Sequence, residues 1–472
     1  LHKMKIAMLT FVFVLTFGSF PIHALAMSPE EQSIYDLNVD RFNNGTRDND
    51  KDVDLNDPSA YYGGDFVGVK ERLNHIKEMK FTTVILGNVW KSSNFLGENT
   101  TSYIEVNEHY GTQEELISLV AKMQDEKLMA VADFPIDQLG DAHPIRKAHE
   151  TSADGQWTIV DETLVSTMAK EIVASIDKYG WDGIRLTNTQ NWDAASLESL
   201  IDLIKKEADK LIVMTLEQTE ANNVDIFHNE SLMQTFHDTF IQFNSGVTLY
   251  EQMQNIDRRT QLQVDRIDQL RMTYEMVELR MFPPTRWKTA LTALFMLPGV
   301  PTVTYGSEIA MNGETVEEGL QMMNFKTEME LKDYIGNLNT LRQESETIRN
   351  GEFELLHNED DFTVFARYSE DEHWIVVINN SDDTKKFSIP KERFGEDKVK
   401  LRGVLNQDLI RLTKDDQYNI IQDRERVEVY YVEEDKGYNI PYLIASIMVY
   451  AAFILFLYVV LKNSRKKRAA NS

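Results

Sequence analysis

TQEELISLVAKMQDEKLMAVADF, residues 112–134, decides the fold. Thr112 stands three residues before Glu115, a capping box that starts a helix. Leu116, Leu119, Val120 and Met123 then recur at the spacing of one helix face. After Lys127 the pattern changes to LMAVADF, an apolar run that reads as a strand buried on both faces. The same alternation extends both ways. SIYDLNV (33–39) is followed by helical VGVKERLNHIKEM (67–79) and then TTVILGNVW (82–90). A helix over 164–178 leads to GIRLTN (183–188), and SLESLIDLIKKEADK (196–210) leads to LIVMTLE (211–217). RWKTALTALFML (286–297) precedes GVPTVTYGSEI (299–309). Strands separated by helices imply a parallel sheet covered by helices, and the number of units predicts a closed (β/α)8 TIM barrel over 27–349. After Asn350, FELLHNEDDFTVFARYSEDEHWIVVINNS alternates apolar and polar residues between turns, which predicts a C-terminal antiparallel β-sandwich over 350–434.

The ends carry a different message. Residues 1–26 combine a basic start, an apolar run and Ala24-Leu25-Ala26, the pattern of a cleaved signal peptide. IPYLIASIMVYAAFILFLYVVL, 440–461, has no charge and spans about 33 Å as a helix, enough to cross a bilayer. The basic tail KNSRKKR, within 462–472, is expected to remain cytoplasmic. A single-pass protein of the cell membrane follows, with its body outside and its C-terminus inside. The chain of 472 residues has no cysteine, so neither disulfides nor thiol chemistry contribute. Its net charge of −27 argues against nucleic acid or anionic lipid as a partner, because phosphate binding needs a basic surface. A neutral ligand such as a sugar is compatible.

The stretch VDRFNNGTRDNDKDVDLNDPSAYYGGDFVGVKERLNHIKEMKFTTV (39–84) resembles the α-amylase family, glycoside hydrolase family 13. YIEVNEHYGTQEELISLVAKM, GWDGIRL and GVPTVTYGSEIAMNG continue the likeness, closest to the neopullulanase, cyclomaltodextrinase and cyclodextrin-glucanotransferase branches. The resemblance implies a retaining double displacement on α-glucans, with nucleophile and acid/base carboxylates about 5–5.5 Å apart. A third aspartate and two histidines are also implied.

Those positions depart from the pattern. DFVVNH appears as DFPIDQ, which keeps Asp133 but has Asp137 and Gln138 at its end. GFRLD appears as GIRLT, which keeps Arg185 but puts Thr187 at the nucleophile. The motif ending GEV aligns with MTL, placing Thr215 at the acid/base. NHDxxRF aligns with MVELRMF, placing Glu278 at the third carboxylate. The aromatic YHGYW becomes FLGEN (95–99). Threonine replaces neither a carboxylate nucleophile nor a proton donor. The expectation is therefore a membrane-anchored pseudoenzyme that binds an α-glucan or holds a membrane-protein partner. The alternative is an active glycoside hydrolase with rearranged carboxylates, in which Glu217 is the new acid group. In either case Asp133 and Arg185 are expected to remain as an ion pair. The resemblance also implies structural Ca²⁺ in the first loop, held by Asn44, Asn49, Asp50, the Gly63 carbonyl and Asp65, hard oxygen donors as Ca²⁺ requires. Thr46 departs from the usual aspartate there. His109 and His143 match family positions outside the active site.

Overall fold

The computed structural model describes residues 28–470 apart from 153–154, 209, 248, 328, 396–397 and 438–439. The signal-peptide reading of 1–26 lies outside the described residues. Strands β1 (Ile34–Leu37), β2 (Thr83–Leu86), β3 (Met129–Pro135), β4 (Gly183–Thr187), β5 (Ile212–Thr215), β6 (Gln261–Leu262) and β7 (Val300–Thr304) form a parallel sheet in the order β5-β4-β3-β2-β1-β7-β6. Residues 226–227 close it. Ile226 bridges Met214 of β5, and Phe227 bridges Thr260 just before β6. This short piece is the sixth strand of the (β/α)8 barrel, so β6 and β7 are the barrel's seventh and eighth.

The helices around it are α1 (Phe66–Glu71), α2 (Leu73–Glu78), α3 (Gln113–Asp125), α4 (Pro144–Ala148), α5 (Glu162–Tyr179), α6 (Ala194–Glu207), α7 (Glu230–Phe240), α8 (Leu249–Gln252), α9 (Met272–Glu278) and α10 (Pro283–Met296). The capping box of α3 is formed, and Leu116, Leu119, Val120 and Met123 are buried. Side-chain caps from Asp161 and Asp193 start α5 and α6, and Gly180 ends α5 in the left-handed conformation that glycine adopts readily. The single helix expected over 67–79 is two, because Arg72 leaves helical geometry at φ −103, ψ 8.

Strand alternation sorts the core into two layers. Ile34, Ile85, Val131, Ile212, Met214 and Val300 fill the barrel interior. Their neighbours Val84, Ala130, Ala132, Ile184, Leu186 and Val213 pack outward with the helices.

Helices α11 (Glu330–Glu344) and α12 (Glu346–Asn350) lead into the second domain. Its strands are β8 (Glu352–Glu359), β9 (Phe362–Tyr368), β10 (His373–Asn379), β11 (Lys385–Pro390), β12 (Val399–Gly403), β13 (Leu409–Arg411), β14 (Gln417–Gln422) and β15 (Arg426–Glu434). They form an antiparallel sheet in the order β13-β12-β15-β10-β9-β8 and a β11–β14 pair. Buried Val364, Ala366, Ile375, Ile389, Leu401, Tyr418 and Ile420 join the two.

The last helix, α13 (Ile440–Ala470), runs beyond the expected 440–461 because the charged residues that follow are themselves good helix formers. Within it Leu443–Lys462, 20 residues, is long and apolar enough to cross a membrane.

Candidate functional site at the barrel mouth

Above the apolar interior lies a layer of charge. Arg185 on β4 donates to Asp133 on β3 from Nε at 2.7 Å and from Nη2 at 2.8 Å. It also reaches Asp36 on β1, from Nη1 at 2.7 Å and Nη2 at 3.2 Å. All three side chains are buried. Burial pushes the Asp133 carboxyl up, and Arg185 opposes that shift. Burial also works against the Arg185 charge, but the two carboxylates outweigh it and raise its pKa. Asp36 was not expected at the site, although a lone acid in the apolar run SIYDLNV was its signal. The expected ion pair is a triad.

Thr187 ends β4 and is buried, and its carbonyl accepts from the Ile136 N–H at 2.9 Å. Asp137 accepts from Gln138 N at 2.8 Å, Trp157 N at 3.1 Å and Asn191 Nδ2 at 3.1 Å, so it fastens the loops around β3 and β4. Glu217 lies two residues beyond β5 and is half-buried. Its Oε1 accepts from Asn188 N at 3.0 Å; its Oε2 accepts from Thr189 N at 3.2 Å and Thr189 Oγ1 at 3.0 Å. Both oxygens of the proposed acid group therefore act as acceptors toward the loop after β4.

Two placements need correction. Thr215 shares the strand face of Val213, which packs with the outer helices, and alternates with the interior residues Ile212 and Met214. Its hydroxyl is buried without a hydrogen-bond partner, so Thr215 does not present a group to the mouth. Glu278 is the last residue of α9 and is exposed on the helix, away from any strand end. The barrel's seventh strand ends instead at Leu262, and the segment that follows, Arg266 to Met272, reads RIDQLRM. NHDxxRF placed there puts Asp268 at the third carboxylate and Arg271 at the arginine. The acid at that position is kept.

Asp268 is bound by Arg266, Nε to Oδ1 at 2.5 Å and Nη2 to Oδ2 at 2.8 Å. Arg266 also meets Glu230 at 3.2 Å and the Leu216 carbonyl at 3.4 Å. Desolvation pushes the Asp268 carboxyl up, but Arg266 more than offsets it and Arg185 adds to the lowering, so it stays below the usual carboxylate range. The aromatic faces are also occupied. The Arg41 guanidinium sits 3.6 Å from the Tyr62 ring centre and 3.8 Å from that of Phe95, the aromatic of FLGEN.

The first loop brings its expected ligands partly together. Asn44 Nδ2 donates to Asp50 Oδ1 at 2.7 Å, and both groups lie against Gly63, which holds φ +86. A Cβ at Gly63 would meet each of them at 2.8 Å. Asn49 Oδ1 is buried without a partner. Asp65 caps α1, accepting from Gly68 N at 2.5 Å, Thr46 N at 2.9 Å and Gly45 N at 3.1 Å. Among the described residues no three His, Cys, Asp or Glu side chains cluster to hold a metal. His109 stacks on Tyr61 at 3.7 Å, and His143 is wholly buried.

Residues 36–163 match the model of the alpha amylase catalytic domain, and residues 351–430 match that of the alpha-amylase C-terminal domain. The chain belongs to the α-amylase family. This α-amylase-family chain is 26% identical over 404 residues to the beta/alpha-amylase of Paenibacillus polymyxa, covering 74% of itself but only 34% of that protein. It is 21% identical over 427 residues to the cyclomaltodextrinase of Thermoanaerobacter pseudethanolicus, covering 78% of itself and 73% of that protein. Among solved structures, an Anoxybacillus alpha-amylase superposes with a TM-score of 0.80 at 27% identity, over 87% of this chain and 100% of that one. The alpha-amylase of Geobacillus thermoleovorans, solved with acarbose, gives 0.77 at 26% over the same shares.

Proposed function

We propose that this glycoside hydrolase scaffold is a membrane-anchored, extracellular α-glucan-binding protein that has lost hydrolysis. The observation that carries the reading is the engagement of four acids at or near the strand ends. Asp36 and Asp133 hold Arg185, Asp268 holds Arg266, and Glu217 accepts from the loop after β4. A retaining mechanism needs one free carboxylate to attack carbon and another to deliver a proton. Thr187, at the end of β4, supplies neither. The glucan reading rests on family membership and on the acarbose complex of the Geobacillus relative. No relative named above is described as holding a membrane protein, so the partner-protein reading is not carried forward. Anchoring is supported by the apolar helix Leu443–Lys462 followed by KNSRKKR, which sets the body outside.

Ca²⁺ belongs to the same proposal. Asn44, Asn49, Asp50, the Gly63 carbonyl and Asp65 would hold it, and the buried, unpartnered Asn49 oxygen is the feature that fits an ion. Its role would be to pin the loop 44–65 to α1. It has no part in chemistry.

The test is prolonged incubation of the full-length protein, in detergent with Ca²⁺, with maltooligosaccharides, cyclodextrins and pullulan, read by mass spectrometry. No cleavage, with a glucan-dependent rise in melting temperature, is the expected result. A second reading, an active hydrolase with rearranged acids, has Glu217 and Asp268 in its favour, since Asp268 is exposed and Glu217 only half-buried at the mouth. Cleavage that disappears in Glu217→Ala or Asp268→Ala would establish it and overturn inactivity.

A further inference from the structure

We infer that the barrel mouth points away from the bilayer and that the opposite face of the barrel lies against the phospholipid surface. The inference rests on the membrane-anchor reading and adds to it an orientation. Helix α10 descends from the mouth side to the start of β7, as a helix between parallel strands must. Strand β15 runs beside it in the same direction. At the mouth end Arg286 of α10 pairs with Glu425, just before β15, at 3.6 Å. At the far end the Met296 carbonyl of α10 accepts from Arg367 at 3.0 Å, and Arg367 lies opposite Trp374, which lies opposite Tyr431 of β15. Strand β15 therefore finishes at the end of the barrel remote from the mouth.

The membrane helix follows almost at once. Asp435 is still tied to the body, its N–H to the Lys398 carbonyl at 2.7 Å and its carboxylate to Arg411 at 3.3 Å. Residues 436–439 then precede Ile440. Whatever path they take, the five steps from Asp435 to Ile440 reach at most about 18 Å. The body is taller than that, since the nine residues of β15 alone extend about 30 Å. A tether of this length, fixed at the remote end, cannot let the mouth turn to the bilayer.

Charge acts against tipping. Lys80, Lys127 and Lys210 occupy equivalent places on the remote face, between α2 and β2, α3 and β3, and α6 and β5. Each is exposed, and each holds a left-handed φ, +62, +63 and +72, where a glycine would serve a helix end more easily. Each has an exposed acid within three residues, Glu78, Asp125 and Glu207, so this face carries both signs. The loops at the mouth are rich in acids, among them Asp48, Asp52, Asp54, Glu98, Glu314 and Glu318, which anionic headgroups repel.

The absence of native cysteine makes the test direct. Full-length single-cysteine variants Glu98→Cys and Glu314→Cys at the mouth, and Lys127→Cys and Lys210→Cys at the remote face, are labelled with a donor fluorophore. They are reconstituted in vesicles of phosphatidylcholine and phosphatidylglycerol that carry a headgroup-linked acceptor. Melting temperatures equal to that of the parent exclude misfolding. The expected result is a loss of donor emission at least about twofold greater at positions 127 and 210 than at 98 and 314. Equal or reversed losses in protein that floats with the vesicles overturn the orientation and leave the anchor standing. Protein that does not float overturns the anchor, and the orientation with it.

Discussion

Replacing Arg185 by Met removes the only cation that contacts Asp36 and Asp133 among the described residues and keeps the volume of the side chain nearly constant. Two buried carboxylates then face each other. Two close like charges do not both stay ionised, so one takes up a proton. Holding a proton at pH 7 on a group that releases it near 3.9 in water costs about 1.36 kcal/mol per unit of difference, or about 4 kcal/mol. That figure bounds the loss from above for one proton, and it agrees with the range of about 3–5 kcal/mol for breaking a buried ion pair from one side. It also predicts a pH dependence. At pH 5 the same proton costs only about 1.5 kcal/mol. With an unfolding entropy near 0.9 kcal/mol/K for a body of this size, the variant should melt about 4–5 °C below the parent at pH 7 and about 1–2 °C below it at pH 5. Scanning calorimetry of parent and Arg185→Met at both pH values reads the difference. The triple variant Arg185→Met, Asp36→Asn, Asp133→Asn should recover most of the loss. A pH-independent deficit, or one under about 1 °C at pH 7, would refute the argument that charge compensation holds the mouth together.

Three shorter predictions follow from other parts of the molecule. His143 has its pKa pushed down to about 4 by burial, so the unfolded chain binds the extra proton between about 6.5 and 4. Its contribution is fully present above pH 6.5 and falls by about 3 kcal/mol as pH drops to 4; His143→Asn, which keeps an acceptor for the Ile145 N–H, should flatten the melting curve against pH in that window. Thr215→Val removes a buried hydroxyl without a partner and should stabilise the body by about 1 kcal/mol, whereas a Thr215 that served the mouth would show no gain. The proposed Ca²⁺ site predicts that a chelator lowers the melting temperature, with half-saturation in about the 10⁻⁴–10⁻³ M range of extracellular modules. Asn49→Leu should abolish that response.

The barrel was legible because six of its eight strands, and the long helices between them, advertise themselves by period. TQEELISLVAKMQDEK has the helical repeat and LMAVADF the buried run, and both formed within a residue or two of the expected ends. The sixth strand was not legible, since VDIFHN pairs through only the bridges at 226 and 227 and has too few residues to show any period. That gap also explains the misplaced site residues. With two strands unseen, the sixth and the two-residue seventh at Gln261–Leu262, NHDxxRF aligns with MVELRMF, a helix end with an exposed valine, in place of the segment that holds Asp268. Thr215 was misplaced for another reason. A slip of one residue at the end of a strand moves a side chain to the opposite face, and a motif of three letters does not fix that register. Asp36 has one local signal, a lone acid in an apolar run, but its partner is 149 residues away and no local pattern names it.

The altered mouth is organised as two similar charge clusters. Asp36 and Asp133 flank Arg185; Asp268 and Glu230 flank Arg266. A hydrolase mouth must keep some carboxylates free, and their mutual repulsion is stability given up for chemistry. Here each arginine neutralises part of that repulsion, with bidentate geometry that a lysine could not supply. The same guanidinium of Arg266 reaches the Leu216 carbonyl, just beyond β5, at 3.4 Å. A glucan that binds such a mouth meets a surface of fixed ion pairs at the rim, and its ring is not drawn down between two free acids. On the proposal that hydrolysis is lost, a single carboxylate placed at Thr187 is expected to give no turnover. The new acid would lie beside a cluster already held by its own cation, and Glu217, the acid group of the alternative reading, would still accept from Asn188 and Thr189.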